Sequence, residues 1–491
     1  MDGTVHRISS LPDDVLTHIL TFLSTREAVQ TCLLSKRWRN AWASVPVLKF
    51  HLDESWINNA DNETDKELKF DQFVNGMFGH RGPSHLDTVI YSATFGHGSW
   101  EPSMGWLDHA ALLMPRAISI DIVGVEKLNF PDSVFSCASL ESLELSLFPY
   151  GRIIRPRSIA LASLKTLNLR LIRLDDDFMQ KLFLGCPILE SLKLHHCELF
   201  ISDISSSMLK ELAILECPQF QNMQISCPGL FSLFIRTSMK CIQIISLENM
   251  ASLVKAYISL YGYDQEVCYY PFDVQADVNN VPNSANSKFL SGLSNVTSLE
   301  LHFDDPDWIQ WFEDIITNYK TFYNLKRLDI GAWSVDNDFR LVACFIEHSP
   351  VLEQLTLRLD RKQWEKHICR TFYNFKSLII GAWNIVNGFS LVAWFLEHCP
   401  ILQQLILLSY RIQDDTQKEP RQVVSFQLEY LETVNISCEK KDELACKLAT
   451  ELGQHIKTNR PLEILISWNI DIYQLIDVIV NNMFPSSIRS S

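Results

Sequence analysis

Apolar residues near the start of the chain recur at the spacing of a helix. Pro12, Asp13 and Asp14 form a helix start, since proline and acidic residues favour the first turn. The apolar residues that follow within one helical stripe are Val15, Leu16, Ile19, Leu20 and Leu23. The pattern predicts an amphipathic helix.

A second apolar run follows from Ala28 to Leu33, and Ser35, Lys36, Arg37, Trp38 and Arg39 come directly after it. Together the two runs predict a domain of two or three short helices over residues 8–50. About forty residues cannot bury this much apolar surface by themselves. An apolar face left on so small a module implies a protein partner.

Beyond this module one phrase recurs, Leu-x-x-Leu-x-Leu, with Ile, Val or Phe in place of some leucines. Six successive copies are spaced 24, 25, 20, 21 and 23 residues apart, starting at Leu140, Leu164, Leu189, Leu209, Leu230 and Leu253. This period is typical of leucine-rich repeats, which supply one strand per unit. Alternating leucines turn one strand face inward, and stacked units bury a continuous core. Weaker copies lie at residues 85–91 and 116–122.

These patterns predict an α/β fold. A small helical domain precedes an irregular leucine-rich-repeat solenoid, a curved parallel sheet with helices on its convex side. We expect linker helices and a weak first repeat over 51–115, and the main array over 116–425. Strand, amphipathic helix and strand follow over 426–491. Residues 53–67, 261–287 and 411–422 interrupt the rhythm and predict loops or insertions.

One segment of the array occurs twice. Residues 321–359 and 371–409 are near-copies offset by 50 residues without a gap. A solenoid tolerates such a duplication because whole units can be added without breaking its core. The duplication is either functionally neutral or an extension of a target-binding surface. Trp333 and Trp383, which follow a predicted strand in each copy, are expected at a rim, either packed or exposed to a ligand.

Composition narrows the possible partners. The chain has 491 residues, 47% of them hydrophobic and 21% charged, and its net charge is −15 (43 − 58). Such a chain is globular and a poor general binder of nucleic acids. The sequence contains no run of about 18 apolar residues, so it predicts no membrane span. The 13 cysteines lack a Cys-x-x-Cys pair, which fits free thiols in a reducing compartment, the cytoplasm or the nucleus.

No sequence motif indicates catalysis, a metal or a cofactor. His195-His196-Cys197-Glu198 contains metal-ligand residue types, but adjacent residues at a strand end point to opposite faces. The run Asp175 to Asp177 is interpreted as helix capping. Arg152, Arg155 and Arg157 form a small basic loop, and binding of an anion there is a minor alternative to an ordinary solvated loop.

The N-terminal residues also resemble a known domain. Leu11-Pro12, Val15-Leu16, Ile19-Leu20, Leu23, Cys32 and Ser35-Lys36-Arg37-Trp38-Arg39 resemble an F-box in order and spacing, and only Ala41 departs from the pattern, which usually has a bulky apolar residue there. With the repeats, and with residues 427–467 that resemble an FBD-type segment, the chain resembles plant F-box/leucine-rich-repeat proteins.

This resemblance implies a non-catalytic substrate receptor of an SCF-type ubiquitin ligase. The F-box would bind a Skp-type adaptor, and through it a cullin, while the repeats bind an unknown target protein; no nucleic acid or membrane is expected. The residues expected to contact the adaptor are Leu11, Pro12, Val15, Leu16, Ile19, Leu20, Leu23, Val29, Cys32 and Trp38, some of which must form the module's own core. The main alternative is a scaffold acting outside ubiquitination, or a degenerate family member; an enzyme with an F-box is disfavoured.

Overall fold

The computed structural model describes residues 11–52, 63–82, 84–95, 104–124, 130–148, 152–261, 283–303, 322–334, 340–360, 375–383, 389–409, 426–438, 443–459 and 461–468. The chain divides into two compact units. The first unit comprises residues 1–230 and 266–280, and the second comprises residues 231–265 and 281–491.

The first unit begins with the N-terminal helical module, residues 11–45. Its helices are α1 (Asp13–Leu20), α2 (Thr25–Gln30) and two 3₁₀ helices, Thr31–Leu33 and Trp38–Ser44. The Pro12 carbonyl accepts the N–H groups of Val15 and Leu16, both at 3.1 Å. Ser24 and Glu27 form a capping box that satisfies free N–H groups at the start of α2. Helices predicted from the apolar spacing are therefore present.

Seven parallel strands form the main sheet of the first unit, in the order β1-β2-β3-β4-β6-β8-β11. The strands of this unit are β1 (Val47–Leu52), β2 (Thr88–Thr94), β3 (Ala117–Val123), β4 (Ser142–Phe148), β5 (Arg152–Ile153), β6 (Thr166–Arg170), β7 (Ile172–Asp175), β8 (Ser191–His195), β9 (Glu198–Phe200), β10 (Asp203–Ser205), β11 (Glu211–Leu215) and β12 (Met223–Ser226). Its further helices are α3 (Glu63–His80), α4 (Trp106–Leu112) and α5 (Asp176–Gly185).

The second unit repeats this arrangement with nine parallel strands, in the order β13-β15-β16-β17-β18-β19-β20-β22-β24. Its strands are β13 (Ser232–Ser238), β14 (Ile245–Glu248), β15 (Lys255–Tyr261), β16 (Ser298–Phe303), β17 (Arg327–Ser334), β18 (Gln354–Asp360), β19 (Ser377–Trp383), β20 (Gln404–Ser409), β21 (Phe426–Gln427), β22 (Thr433–Cys438), β23 (Ile456–Lys457) and β24 (Glu463–Trp468). Its helices are α6 (Met239–Ile242), α7 (Asn283–Gly292), α8 (Arg340–His348), α9 (Phe389–His398) and α10 (Glu443–His455).

The repeated leucines form the core of each unit. Leu143 pairs in register with Leu167, and Leu167 pairs with Leu192; each is at most 1% exposed. Burying one such side chain contributes about 1.5–3 kcal/mol, so each added repeat further stabilises the stack of repeats. The prediction of a mixed α/β fold with parallel repeat strands is confirmed.

The sheet starts earlier than the sequence analysis expects. Strand β1 begins at Val47, inside the range 8–50 given to the helical domain, whereas β2 lies where the weak first repeat is expected. Strand β1 was not predicted because Leu48, Phe50 and Leu52 alternate without the full repeat phrase. The segments weakly matching the phrase, residues 85–91 and 116–122, supply the regular strands β2 and β3.

The duplicated segments fold alike. Each supplies a strand, a helix and a strand: β17, α8 and β18 in the first copy, and β19, α9 and β20 in the second. A register irregularity falls between Ile330 and Trp333 in one copy and between Ile380 and Trp383 in the other. Both tryptophans thus lie inside the strand. The sequence analysis expected them to follow it.

The remaining segments follow the sequence pattern only in part, because α3 begins at Glu63, inside the predicted loop 53–67, and α7 begins at Asn283, inside the predicted insertion 261–287. Strand β22, helix α10 and strand β24 reproduce the predicted strand, helix and strand after residue 426. Most of the predicted insertion at 261–287, and the whole of the predicted loop at 411–422, lie outside the described residues.

Candidate protein-binding surfaces

The N-terminal helical module has a closed apolar core. Its buried residues are Leu16, Leu20, Ala28, Trp38 and Val45, with Leu11, Leu23, Ala41 and Trp42 packed partly buried against them. The sequence analysis expects some of the ten predicted contact residues to form the module's own core, and the structure places Leu16, Leu20 and Trp38 there. Each of the three is at most 3% exposed, because it fills the space between the helices of the module itself.

A second apolar stripe on α1 faces outward. Val15, Ile19 and Phe22 are spaced at i, i+4 and i+7, so they share one helical face. Their exposed fractions are 40%, 37% and 71%, and the 3₁₀ segment adds Leu33 and Leu34 at 85% and 68%. Exposed apolar side chains this numerous on one small module are typical of a protein-binding surface.

The sequence analysis did not select Phe22, Leu33 and Leu34 as site residues. The signal for Phe22 is present in its spacing, because it continues the stripe of Val15 and Ile19 one turn beyond the regular helix. Leu33 and Leu34 are adjacent, and periodicity alone does not tell which of two neighbours is buried. Both are exposed because the 3₁₀ turn from Thr31 to Leu33 buries none of its side chains in the module's core.

The other predicted contact residues have intermediate positions. Pro12 is exposed and caps α1, while Leu11 and Leu23 are half-buried against the core. Val29 and Cys32 are half-buried as well. The role of these residues in binding an adaptor stays a prediction.

An ion pair fixes the start of α1 to the segment that precedes Trp38. The Arg37 guanidinium donates from Nε and Nη2 to Asp13 Oδ1, at 3.2 and 2.7 Å. Lys36 and Arg39, on either side of Arg37 and Trp38, are exposed. A partner that meets this part of the module encounters positive charge beside apolar surface, which suits an acidic partner.

The module is joined directly to the repeat sheet. The Lys49 N–H donates to Thr25 Oγ1 at 2.7 Å, and Lys49 Nζ donates to the Thr21 carbonyl at 2.9 Å. Val45 belongs to the module's core, and Val47 is already the first residue of β1. These bonds orient the helical module on the first strand of the sheet, so the two move together.

The side of the first-unit sheet opposite the core leucines, here called the open face, is polar. Glu144 accepts hydrogen bonds from Ser119 Oγ at 3.1 Å and from Asn168 Nδ2 at 2.9 Å, across three adjacent strands. Arg170, Lys193 and His195 continue this face on β6 and β8. Residues on this face contribute little to the core and are therefore available for recognition.

The candidate metal-ligand run does not converge on one point. His195 lies on the open face, whereas His196 has a positive φ of 49° in the turn that follows. The Cys197 thiol is buried and donates to the Leu169 carbonyl at 3.3 Å, and Glu198 pairs with Arg173 Nε at 2.6 Å. In the described ranges no group of three or more His, Cys, Asp or Glu side chains is placed to hold a metal ion.

The carboxylates and the basic loop have structural roles. Asp175 caps α5 by accepting the Phe178 N–H at 2.9 Å, as predicted. Asp176 accepts from the Ser202 N–H at 2.7 Å, and Asp177 pairs with Lys181. In the basic loop, Arg157 Nε lies 3.3 Å from Asp132.

All cysteines in the part of the chain that the structure describes are free thiols. Burial raises the pKa of Cys186 to about 12 and that of Cys227 to about 11, so both are protonated at neutral pH. Such thiols pack as small apolar groups and are poor nucleophiles. No helix among the described residues has the length and apolar character that a membrane crossing needs.

Comparisons with known proteins match both the N-terminal module and the repeat array. The model of the F-box domain matches residues 8–50, and the leucine-rich-repeat domain model described as At1g61320/AtMIF1, LRR domain, matches residues 105–371. F-box/LRR-repeat protein At4g14103 of Arabidopsis thaliana is 31% identical over 365 residues, which cover 72% of this chain and 92% of that protein.

Two further Arabidopsis thaliana relatives extend the comparison. F-box/FBD/LRR-repeat protein At4g26340 is 27% identical over 377 residues, covering 74% of this chain and 79% of that protein. Putative F-box/LRR-repeat protein At3g18150 is 30% identical over 313 residues, covering 60% of each. The matched stretches of these two relatives cover 74% and 60% of this chain.

Proposed function

The chain belongs to the F-box/leucine-rich-repeat family, and from that premise we propose that it is the substrate-recognition subunit of an SCF-type ubiquitin ligase. Its F-box binds a Skp-type adaptor, and through it a cullin, while the repeat units bind the target protein. The subunit itself is non-catalytic and acts in the cytoplasm or the nucleus.

The exposed apolar stripe of Val15, Ile19 and Phe22 is the observation that carries this proposal. The module already has a core of its own, so the stripe is not needed for its folding. Apolar side chains at the centre of an interface commonly account for most of its binding energy. Leu33 and Leu34 enlarge the apolar surface, and the basic residues near Trp38 favour an acidic adaptor.

The direct junction between module and sheet supports a role in positioning. Lys49 binds both Thr21 and Thr25, so a target held on the first-unit sheet keeps a defined orientation relative to the adaptor. Holding the target near a ubiquitin-loaded conjugating enzyme replaces a bimolecular encounter with an intramolecular one. Ubiquitin passes from that enzyme to a lysine of the target, and no cysteine of this chain has to carry it.

Co-purification with a plant Skp-type adaptor tests the proposal. The adaptor is expressed with the full wild-type chain and, separately, with the Ile19→Asp variant. This substitution places a charge in the apolar stripe without touching the core. The matched control is Leu184→Asp on α5, because Leu184 is also exposed, at 77%, but lies outside the module. We expect the adaptor to be retained by the wild type and the control and lost by Ile19→Asp.

Retention of the adaptor by Ile19→Asp at the wild-type level contradicts this binding face. A wild-type chain that is folded and retains no adaptor contradicts the proposal as a whole. The lifetime of the target protein distinguishes the receptor from the alternative, a scaffold acting outside ubiquitination. Depleting a receptor lengthens the lifetime of its bound target, whereas depleting a scaffold does not.

A further inference from the structure

Three nitrogen-bearing side chains meet on the open face of the first unit. Arg170 on β6 is the in-register neighbour of His195 on β8, and Lys193 lies two residues before His195 on the same face. Adjacent parallel strands are about 4.8 Å apart and a two-residue step is about 6.6 Å, so the three groups share a small area. These residues are called the basic cluster below.

The cations of the basic cluster have no ion-pair partner among the described residues. Within the ranges that the structure covers, neither Arg170 nor Lys193 forms an ion pair, and Arg170 Nε is buried without a hydrogen-bond acceptor. Cations elsewhere in the same unit do have carboxylate partners: Lys165 with Glu141, Arg173 with Glu198, Lys181 with Asp177 and Lys210 with Glu190. The charges of these four cations are offset locally, whereas Arg170 and Lys193 have no such partner among the described residues.

The carboxylates around the basic cluster are engaged with other groups. Glu144 on β4 accepts from Ser119 and Asn168, and Glu211 on β11 accepts from Ser191. Glu216, in the turn after β11, pairs with His196 at 3.3 Å. These carboxylates keep their negative charge, but among the described residues none of them forms an ion pair with Arg170 or Lys193.

The state of His195 reflects the same excess of positive charge. Burial, the largest cause, and the nearby charges of Arg170, His196 and Lys193 together lower its pKa to about 4. At neutral pH the ring is therefore uncharged and offers one N–H donor. The basic cluster then presents a planar donor fork, a point charge and a neutral donor within reach of one extended chain.

We propose that the basic cluster binds an extended acidic segment of the target protein, whose Asp or Glu carboxylates pair with Arg170 and Lys193. Charge complementarity selects this partner, because a chain of net charge −15 repels acidic proteins over most of its surface and attracts them at an unpaired basic site. The inference rests on the proposed receptor function and names the chemical class of segment that the receptor recognises.

A labelled peptide tests this inference on the full chain bound to the adaptor. The probe is a fluorescent twelve-residue peptide in which Glu alternates with Gly and Ser, and its matched control has Gln at every Glu position. Binding is measured by fluorescence anisotropy at low and high salt. We expect the Glu peptide to bind more tightly than the Gln peptide, and its affinity to fall as salt screens the charges.

The variant for the test is the double substitution Arg170→Gln and Lys193→Gln. Its matched control is Lys165→Gln with Lys181→Gln, which also removes two positive charges but at paired positions off the basic cluster. We expect the double variant to bind the Glu peptide at least about tenfold more weakly, corresponding to about 1.4 kcal/mol, and the control to bind like the wild type. Unfolding of each variant, followed by circular dichroism, separates loss of binding from loss of fold.

Equal affinity for the Glu and Gln peptides, or equal loss in the two double variants, overturns the inference. Adaptor co-purification of the same samples distinguishes this failure from that of the receptor function. A complex that retains the adaptor but does not bind the acidic peptide refutes only the proposed role of the basic cluster. A chain that binds the acidic peptide but no adaptor refutes only the receptor function.

Discussion

Ile19 and Leu20 are neighbours on α1, yet they face different surroundings: Ile19 is 37% exposed and Leu20 is 1% exposed. One residue corresponds to a rotation of about 100° around a helix, so the two lie on separate stripes. Leu20 packs between the helices of its own module, whereas Ile19 belongs to the outward stripe. Stability and partner binding are thus assigned to adjacent residues.

Substitutions at the two positions are expected to separate these roles. Leu20→Ala should destabilise the module by about 2–5 kcal/mol because it leaves a cavity, while Ile19→Ala should cost much less stability. Amide hydrogen exchange of α1 measures the first effect, and adaptor affinity measures the second. Full protection of α1 in Leu20→Ala would contradict the buried position of Leu20.

The capping box of α2 gives a second prediction. Ser24 Oγ accepts the Glu27 N–H at 3.3 Å, and Glu27 Oε2 accepts the Ser24 N–H at 2.9 Å. Ser24→Ala should cost about 1 kcal/mol and speed amide exchange in the first turn of α2. Ser44→Ala is the control, since Ser44 is exposed at the end of a 3₁₀ helix. Equal amide exchange rates in the two variants would show that the capping box does not stabilise α2.

Gly124, which follows β3, gives a third prediction. Its φ is +88°, a conformation that residues with a side chain rarely adopt, and a Cβ here would collide with the Phe95 carbonyl. Gly124→Ala should therefore lower the midpoint of unfolding clearly, whereas Gly82→Ala should not, because the space around a Cβ at Gly82 is open. Similar unfolding midpoints for the two variants would contradict the strain at Gly124.

The ionisation of His195 gives a pH prediction. Because burial lowers its folded pKa to about 4 from an ordinary 6.5, the unfolded chain binds more protons between these two values. The contribution of His195 to stability is therefore complete above about pH 6.5 and declines as the pH falls toward 4. An NMR titration of the His195 ring should show it uncharged at pH 6, and a midpoint near 6.5 would contradict the buried neutral ring.

The neighbouring positive charges should also affect this titration. Lys193→Gln removes one of the charges that lower the pKa of His195, so the midpoint should rise. Burial is the largest cause, and the pKa should therefore stay below that of an exposed histidine.

The periodicity of the leucines predicts the repeat strands well because alternation in a strand is a local property. Leu167 and Leu169 fall inward wherever the unit stacks, so the sequence identifies the core without the rest of the chain. The division of α1 into core and contact residues is different. Val15 and Leu16 are both apolar, and only packing against Trp38 decides which one is buried.

The basic cluster also lies beyond what the linear sequence indicates. Arg170 and His195 are 25 residues apart and become neighbours only when the register of β6 and β8 is known. Lys193 and His195 alone look like ordinary polar positions of a repeat strand. Stacking of the units is what turns positions one repeat apart into a surface, and variable repeat lengths prevent that register from being read reliably from the sequence.

The internal duplication allows a test of the modular fold. Deleting residues 321–370 removes one 50-residue period and joins Lys320 to Thr371, the residue that replaces Thr321 in the near-copy. Strand β16 would then pair with β19 in place of β17. The His302 ring occupies the space where a Cβ of Gly331 would lie, and the second copy carries Gly381 at the matching position. The new neighbour therefore accommodates the same ring.

We expect this deletion variant to fold, to keep its circular dichroism spectrum and to retain the adaptor, since a solenoid loses whole units without breaking its core. A deletion of residues 331–370 is the control, because it removes part of a unit and disrupts the pairing of β17. Unfolding of the in-phase deletion would show that the two copies are not interchangeable. If the in-phase deletion folds but no longer binds the target, the duplicated units belong to the recognition surface; unchanged target binding makes the duplication a neutral extension of the array.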